Sequence, residues 1–139
     1  MLNYILHHSY EDVEALSDEL WPDRADCEAV FGPVFGEKAY RFQRKVRRKT
    51  QMVIRPRGED QTSYLIWETD SVGLAEYSGD APAFPGGYRE IGHYLRAGYP
   101  IYRFKFVKPG EHRGAVYDVL VYVNGRWKMI HRPWMITVE

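Results

Sequence analysis

The dipeptide Asn124-Gly125 limits the fold of this chain more than any other feature of its 139-residue sequence. Asn-Gly is the pair that two-residue hairpin turns prefer, because both residues of such a turn take a positive φ. Alternating apolar and polar residues flank the dipeptide on both sides, as in antiparallel strands. The pattern predicts a hairpin with the residue pairs Val123–Arg126, Tyr122–Trp127, Leu120–Met129 and Asp118–His131.

The predicted hairpin has two unlike faces, because opposite residues of paired strands share a face. One face is apolar except for one acid and one imidazole, and it suits the core or the wall of a pocket. Its members are Val116, Asp118, Leu120, Tyr122, Trp127, Met129 and His131. The other face alternates branched apolar residues, among them Val119, Val121 and Val123, with long cations whose stems cover apolar surface. We expect this second face to meet water or a second copy of the chain.

Asp118 opposite His131 is the candidate catalytic pair. A carboxylate beside an imidazole orients the ring and raises its pKa, which leaves the second ring nitrogen for general acid–base chemistry or for a ligand. The alternative is structural, since two half-buried polar groups at the edge of a pocket must satisfy each other. No nucleophile motif accompanies the pair, and one bulge in a strand would break the pairing.

The rest of the sequence predicts helices first and strands afterwards. Apolar residues recur at helical spacing in three segments, about residues 9–20, 23–31 and 37–49, with Ser9 and Asp23 as caps of the first two. Strand patterns follow at residues 52–55, 64–69, 99–108 and 115–123, and a short helix is expected at residues 88–97. We therefore predict an α+β fold, with N-terminal helices packed on an antiparallel sheet in a single domain over residues 1–139.

The net charge of zero hides a strong asymmetry along the chain. Residues 1–37 hold nine acids and one cation, whereas residues 38–57 hold nine cations and no acid. Clustered Lys and Arg attract anions, so Arg44, Arg47 and Arg48 are candidates for contact with an anionic partner. The alternative is that the acidic helices lie beside the basic one, in exposed ion pairs worth about 0–1 kcal/mol each.

Two segments give the chain a resemblance to a known superfamily. Residues 86–95, Gly-Gly-Tyr-Arg-Glu-Ile-Gly-His-Tyr-Leu, and residues 121–130, Val-Tyr-Val-Asn-Gly-Arg-Trp-Lys-Met-Ile, resemble the Gly-led helix and the closing hairpin of the nuclear-transport-factor-2-like (cystatin-like, SnoaL-like) domains. The resemblance implies a curved sheet wrapped around the helices as a cone with an apolar pocket, and frequent dimerisation through the outer sheet face. About three strands fit after the Gly-led helix where the family usually has four. The family includes enzymes and non-enzymatic binders, so fold alone assigns no function.

Two functions follow as predictions. The first is binding of a small, largely apolar molecule in an aromatic-lined pocket that carries Asp118 and His131, with a lining of Tyr122, Trp127, Leu120, Met129, Trp67 and Tyr102. The second is a non-enzymatic module that binds nucleic acid or an acidic protein through residues 38–57. Nucleic acid is the weaker of these two partners, since few aromatic residues interleave the cations. The sequence predicts neither a membrane span nor a cofactor or metal site. The resemblance implies a homodimer, and the single cysteine, Cys27, favours the reducing cytoplasm.

Overall fold

The chain is an α+β structure in which helices cover a four-stranded, open antiparallel sheet. A computed structural model describes residues 1–138, with side chains through Ile136. The helices are α1 (Leu2–His7), α2 (Tyr10–Glu19), α3 (Arg24–Phe31), α4 (Pro33–Lys49), α5 (Ser71–Glu76) and α6 (Tyr88–Ile91), with 3-10 turns at Ala81–Ala83 and Pro133–Val138. The strands are β1 (Ser63–Thr69), β2 (Ile101–Val107), β3 (Val116–Val123) and β4 (Arg126–Met129), in the sheet order β1-β2-β3-β4. None of the helices in this part of the chain is long and apolar enough to cross a membrane.

The predicted caps begin the N-terminal helices. Ser9 accepts a hydrogen bond from the Asp12 backbone N–H, and Asp23 forms a reciprocal capping box with Asp26. The helix predicted from residue 37 begins four residues earlier, because Pro33 stands in the first turn, where its missing N–H has no helical partner to lose. Helices α1 and α5 were not predicted, since both are only six residues long and show too little periodicity to detect.

Residues 52–55 do not form the strand that their alternation predicts. This segment is extended but pairs with no strand in residues 1–138, and the Ile54 N–H donates instead to the Ser17 hydroxyl on α2 at 2.9 Å. Burial of the Ile54 side chain under the first two helices explains the alternating pattern without a strand. Alternation of apolar and polar residues shows that one side of an extended chain is buried, and pairing in a sheet is only one way to bury that side.

The C-terminal hairpin has the predicted register next to its turn. Leu120 lies opposite Met129 and Val123 opposite Arg126, and Asn124 and Gly125 both have positive φ, at 52° and 77°. The Asn124 amide also donates to Asp26 at 2.9 Å, so the turn is joined to the capping box of α3. Three strands follow α6, as the length of the chain after the Gly-led segment predicts.

Val119 is an extra residue in β3, and it changes the face to which the residues before it belong. Across the pair β2–β3, Tyr102 lies opposite Leu120 but Arg103 lies opposite Asp118, so the register shifts by one residue at this point. A bulge of this kind leaves one residue unmatched and turns the preceding side chains over. Asp118 therefore lies on the same face as Arg103, and not on the face of Leu120 as the regular hairpin predicted.

Both faces of the sheet are buried by helices. Val119, Val121, Val123 and Ile130 pack in one cluster with residues of α3, α4 and α6, while Leu120 and Met129 pack in another with residues of α1 and α2. The valine-rich face predicted to meet water or a second copy is thus core, with its three valines at most 3% exposed. The prediction of that face as a dimer interface was wrong, because α3 and α4 already cover it.

Candidate functional site

Asp118 belongs to a buried polar cluster beneath α6. Its Oδ2 accepts a hydrogen bond from the Tyr88 hydroxyl at 2.8 Å and lies 3.9 Å from Nε of Arg103. Burial raises the pKa of Asp118, an effect opposed by the Tyr88 hydrogen bond and the Arg103 charge. Burial likewise raises the pKa of Tyr88, and Arg103 also donates to the Ala83 carbonyl. The cluster joins the sheet to α6 and the loop before it.

His131 lies in a different environment, past the end of β4. Its backbone N–H donates to Oε1 of Gln43 at 2.9 Å, and its carbonyl accepts from Nε2 of the same amide at 2.8 Å. The imidazole packs on the Trp21 indole, with 4.4 Å between ring centroids. Burial, and then the charge of Arg132, lower the pKa of His131 to about 4, so the ring is neutral near pH 7.

The predicted contact between Asp118 and His131 was therefore wrong. The bulge at Val119 places the carboxylate on the face of Arg103, while the histidine lies beside α4 and Trp21. The predicted effect on the histidine was wrong too, because a carboxylate partner would raise its pKa and burial lowers it. The two residues hold different parts of the fold in place.

The space between the sheet and α6 is filled by side chains. The cavity bounded by residues such as Phe31, Tyr88 and Ile130 has room for about 10 Å³, one water molecule at most. Its lining is apolar, so a water there would lack hydrogen-bond partners. No small molecule fits into this part of the core without rearrangement.

The residues predicted to line an aromatic pocket do not surround one space. Tyr102 and Tyr122 both contact Trp127 edge to face, at 5.8 and 5.2 Å between centroids, in a cluster at the protein surface. Leu120 and Met129 lie beneath α1 and α2 in the core. Trp67 lies on the opposite face of the sheet, where the Lys105 ammonium is 5.7 Å from its ring. An open cleft of about 500 Å³ adjoins Trp127, between α1 and α2.

Arg44, Arg47 and Arg48 do come together, on one surface cleft that we call the arginine cleft. It has a volume of about 420 Å³ and is lined by these three arginines with Trp21, Pro22, Asp23, Tyr40 and Gln43. The arginines are exposed, and they lie on the last turns of α4, where cations also interact favourably with the helix dipole. The structure thus gathers the basic candidates that the sequence predicted.

The guanidinium groups of the arginine cleft are only weakly engaged by the chain itself. Nη2 of Arg47 lies 2.8 Å from Oδ1 of Asp18, but both side chains are at least half exposed, and such pairs contribute about 0–1 kcal/mol. Arg44 lies over the Tyr40 ring at 5.8 Å. Within the described residues, neither Arg44 nor Arg48 lies within 4 Å of a carboxylate. Two cations are therefore available to an incoming anion.

Buried hydrogen bonds fix the floor of the arginine cleft. Gln43, which is 1% exposed, binds both backbone groups of His131, and Trp21 packs on the imidazole. The Lys128 ammonium donates to the carbonyls of Glu19 and Trp21, at 2.7 and 3.3 Å, where α2 ends.

Trp21 and Gln43 were not predicted as site residues. The Trp21-Pro22 pair was visible only as a helix stop, and a polar residue at an apolar helical position is the signal that could have found Gln43.

No group of histidine, cysteine and acidic side chains in residues 1–138 is placed to hold a metal ion. Burial, reinforced by the charge of Asp26, raises the pKa of the Cys27 thiol to about 12, so this cysteine is a packing residue and not a nucleophile.

No family model, curated protein or solved structure matches the chain. The resemblance to the nuclear-transport-factor-2-like domains stays a prediction.

Proposed function

We propose that this protein is a non-enzymatic binding module whose arginine cleft binds an acidic polypeptide. The observation that carries the proposal is the convergence of Arg44, Arg47 and Arg48 on one 420 Å³ cleft with a fixed floor. The planar guanidinium group suits bidentate contacts to carboxylates, and Arg44 and Arg48 have no such partner among residues 1–138.

The surroundings of the cleft favour a polypeptide over a nucleic acid. Trp21 is only 7% exposed, and the Tyr40 ring is already in contact with the guanidinium groups of Arg24 and Arg44, so no aromatic face is free to stack a base. The net charge is zero, whereas nucleic-acid-binding domains are usually strongly basic.

The proposal is tested by charge reversal with a matched control. The double variant Arg44→Glu/Arg48→Glu removes both available guanidinium groups, and Lys108→Glu/Arg113→Glu makes the same change in net charge in the exposed loop between β2 and β3. Binding of a fluorescent oligoglutamate peptide is followed by anisotropy for each protein. We expect the cleft variant to bind at least about tenfold more weakly and the loop variant to bind as the wild type does.

Equal weakening in both variants would mean that only net charge matters, and the proposal would be lost. Binding of single-stranded DNA in preference to oligoglutamate would assign the cleft to nucleic acid instead. Circular dichroism and thermal melts of both variants check that neither is unfolded, since all four substituted side chains are exposed.

The small apolar ligand expected from the sequence is a second proposal, at a surface site. The cleft of about 500 Å³ beside Trp127 supports it, since Tyr4 and Trp127 are both more than one-third exposed there and Leu16 adds apolar surface. Indole binding followed by calorimetry tests it. Loss of binding in Trp127→Ala, with binding retained in Trp67→Ala on the other face, is the expected result. Equal binding by both variants would contradict the proposal.

We also propose that the fold is a compact form of the nuclear-transport-factor-2-like cone. Three observations support this proposal: four helices precede β1, a Gly-led helix precedes β2, and a closing hairpin carries the Asn-Gly turn. The chain departs from the open cone that the family implies in two ways: the space under α6 is filled, and α1 and α2 cover the second face of the sheet. A crystal structure with a flat sheet, one that does not curve around α3 and α4, would contradict this assignment.

A further inference from the structure

Strand β1 forms one edge of the sheet, and it lacks the usual protection of an edge. Its first five residues, Ser63 to Trp67, include no charge and no proline, and Ile66 is 45% exposed. Proteins usually protect an exposed strand edge with lysine, proline or a bulge, because its unpaired backbone groups can bind another strand. The pairing between β1 and β2 contains no bulge. An apolar, regular and open edge is therefore available for pairing.

The hydrogen bonds show which residues of β1 face away from β2. The Glu68 backbone N–H donates to Oδ2 of Asp80 at 3.2 Å, so this N–H points outward from the sheet. In a regular antiparallel ladder the outward direction alternates from residue to residue, so the backbone groups of Tyr64 and Ile66 also point outward. Asp80 occupies the edge at Glu68. The open edge consequently presents the N–H and C=O groups of two residues, Tyr64 and Ile66.

We propose that a second copy of this chain pairs with the edge of β1, antiparallel and about a two-fold axis at Leu65. In that register Tyr64 lies opposite Ile66 of the second copy, and Ile66 lies opposite its Tyr64. Each of these pairs exchanges two hydrogen bonds, so the four outward groups of each chain are all satisfied. The two sheets then form one continuous eight-stranded sheet.

A second copy fits this edge better than a foreign strand because the open edge is short and symmetric. Asp80 blocks growth of the ladder at Glu68, so a foreign strand would gain only the same two residue pairs. The two-fold arrangement places the exposed Ile66 of each chain beside the half-buried Tyr64 of the other, and thereby covers apolar surface on both chains. The contact does not use the valine-rich face, which is already core.

The first test is the mass in solution, measured by sedimentation velocity over a range of concentrations. We expect the wild type to move from 16.3 kDa toward twice that mass as its concentration rises. Ile66→Pro removes an outward N–H and the isoleucine side chain, both of which belong to the proposed contact, and leaves the ladder with β2 intact; it should weaken association at least about tenfold. Ile66→Val keeps the N–H and should associate as the wild type does. A wild type that stays monomeric at every concentration overturns the proposal, as does a dimer that Ile66→Pro leaves unchanged.

The second test fixes the register and does not rely on the proline variant. Residues directly opposite in a non-hydrogen-bonded pair have Cα atoms about 4.5 Å apart, within disulfide range, so Leu65→Cys should form an intermolecular disulfide on mild oxidation. Cys27 is fully buried and does not compete. Position 66 is more exposed than position 65, but Ile66→Cys should cross-link less, because residue 66 of one copy lies opposite Tyr64 of the other and not opposite residue 66 of that copy. Equal cross-linking at both positions, or none at Leu65→Cys, contradicts the two-fold axis at Leu65.

Discussion

Replacing Gln43 with methionine tests the buried connection between α4 and the end of the hairpin. The amide is 1% exposed and binds both the N–H and the C=O of His131, at 2.9 and 2.8 Å. Methionine has a similar volume but offers no hydrogen bond, so two buried backbone groups lose their partner. Each unsatisfied buried group costs about 1–3 kcal/mol, and burial of the apolar methionine offsets part of the cost of the two groups together. We therefore expect the free energy of unfolding to fall by about 2–4 kcal/mol.

The measurement is the free energy of unfolding from urea denaturation, monitored by tryptophan fluorescence. Gln51→Met is the matched control, because Gln51 is exposed and makes no hydrogen bond among the described residues. We expect this control to change the free energy of unfolding by less than about 0.5 kcal/mol. A Gln43→Met variant that loses no more stability than Gln51→Met would show that the amide does not hold α4 in place and that the floor of the cleft is not fixed.

Three further predictions concern single groups. The pKa of His131 is about 4 in the folded chain and near 6.5 in the unfolded chain, so the unfolded chain binds the proton first as the pH falls. The free energy of unfolding should therefore fall between pH 6.5 and pH 4, by on the order of 3 kcal/mol. Denaturation at several pH values measures this fall, which should be absent in His131→Gln. Lys128→Met leaves the carbonyls of Glu19 and Trp21 without their donor and should lower the free energy of unfolding by about 1–3 kcal/mol, whereas the exposed Lys108→Met should not. Asp118→Asn keeps an acceptor for the Tyr88 hydroxyl, so thermal melts should show it about 1–3 kcal/mol more stable than Asp118→Ala; equal stability would contradict the importance of that hydrogen bond.

Features set by neighbouring residues were predictable from the sequence. The caps at Ser9 and Asp23 and the turn at Asn124-Gly125 depend on groups within a few positions of each other, and all three have the predicted form. The basic candidates on α4 were predictable for the same reason, because helical spacing alone brings Arg44 and Arg48 to one side.

Features set by distant residues were not predictable in this way. The bulge at Val119 depends on how β2 and the helices pack against β3, and this one residue moves Asp118 to the other face and removes the predicted catalytic pair. Trp21 lies at the floor of the arginine cleft beside α4 because it packs on His131, whose backbone Gln43, 88 positions earlier, binds. The alternation of valines and cations in the hairpin predicted a solvent-exposed face. In the structure the Lys128 ammonium is bound at the end of α2, and the valines pack against α3 and α4.

The most direct test of the proposed function is the salt dependence of oligoglutamate binding to the wild type and to Arg44→Glu/Arg48→Glu. Exposed guanidinium groups that bind carboxylates are screened by salt, so the dissociation constant of the wild type should rise severalfold between about 50 and 300 mM NaCl. The variant should bind weakly throughout, with a much smaller dependence on salt. Two results would contradict the assignment of the binding site to the arginine cleft: a wild-type affinity that does not depend on salt concentration, or a variant with the affinity and salt dependence of the wild type.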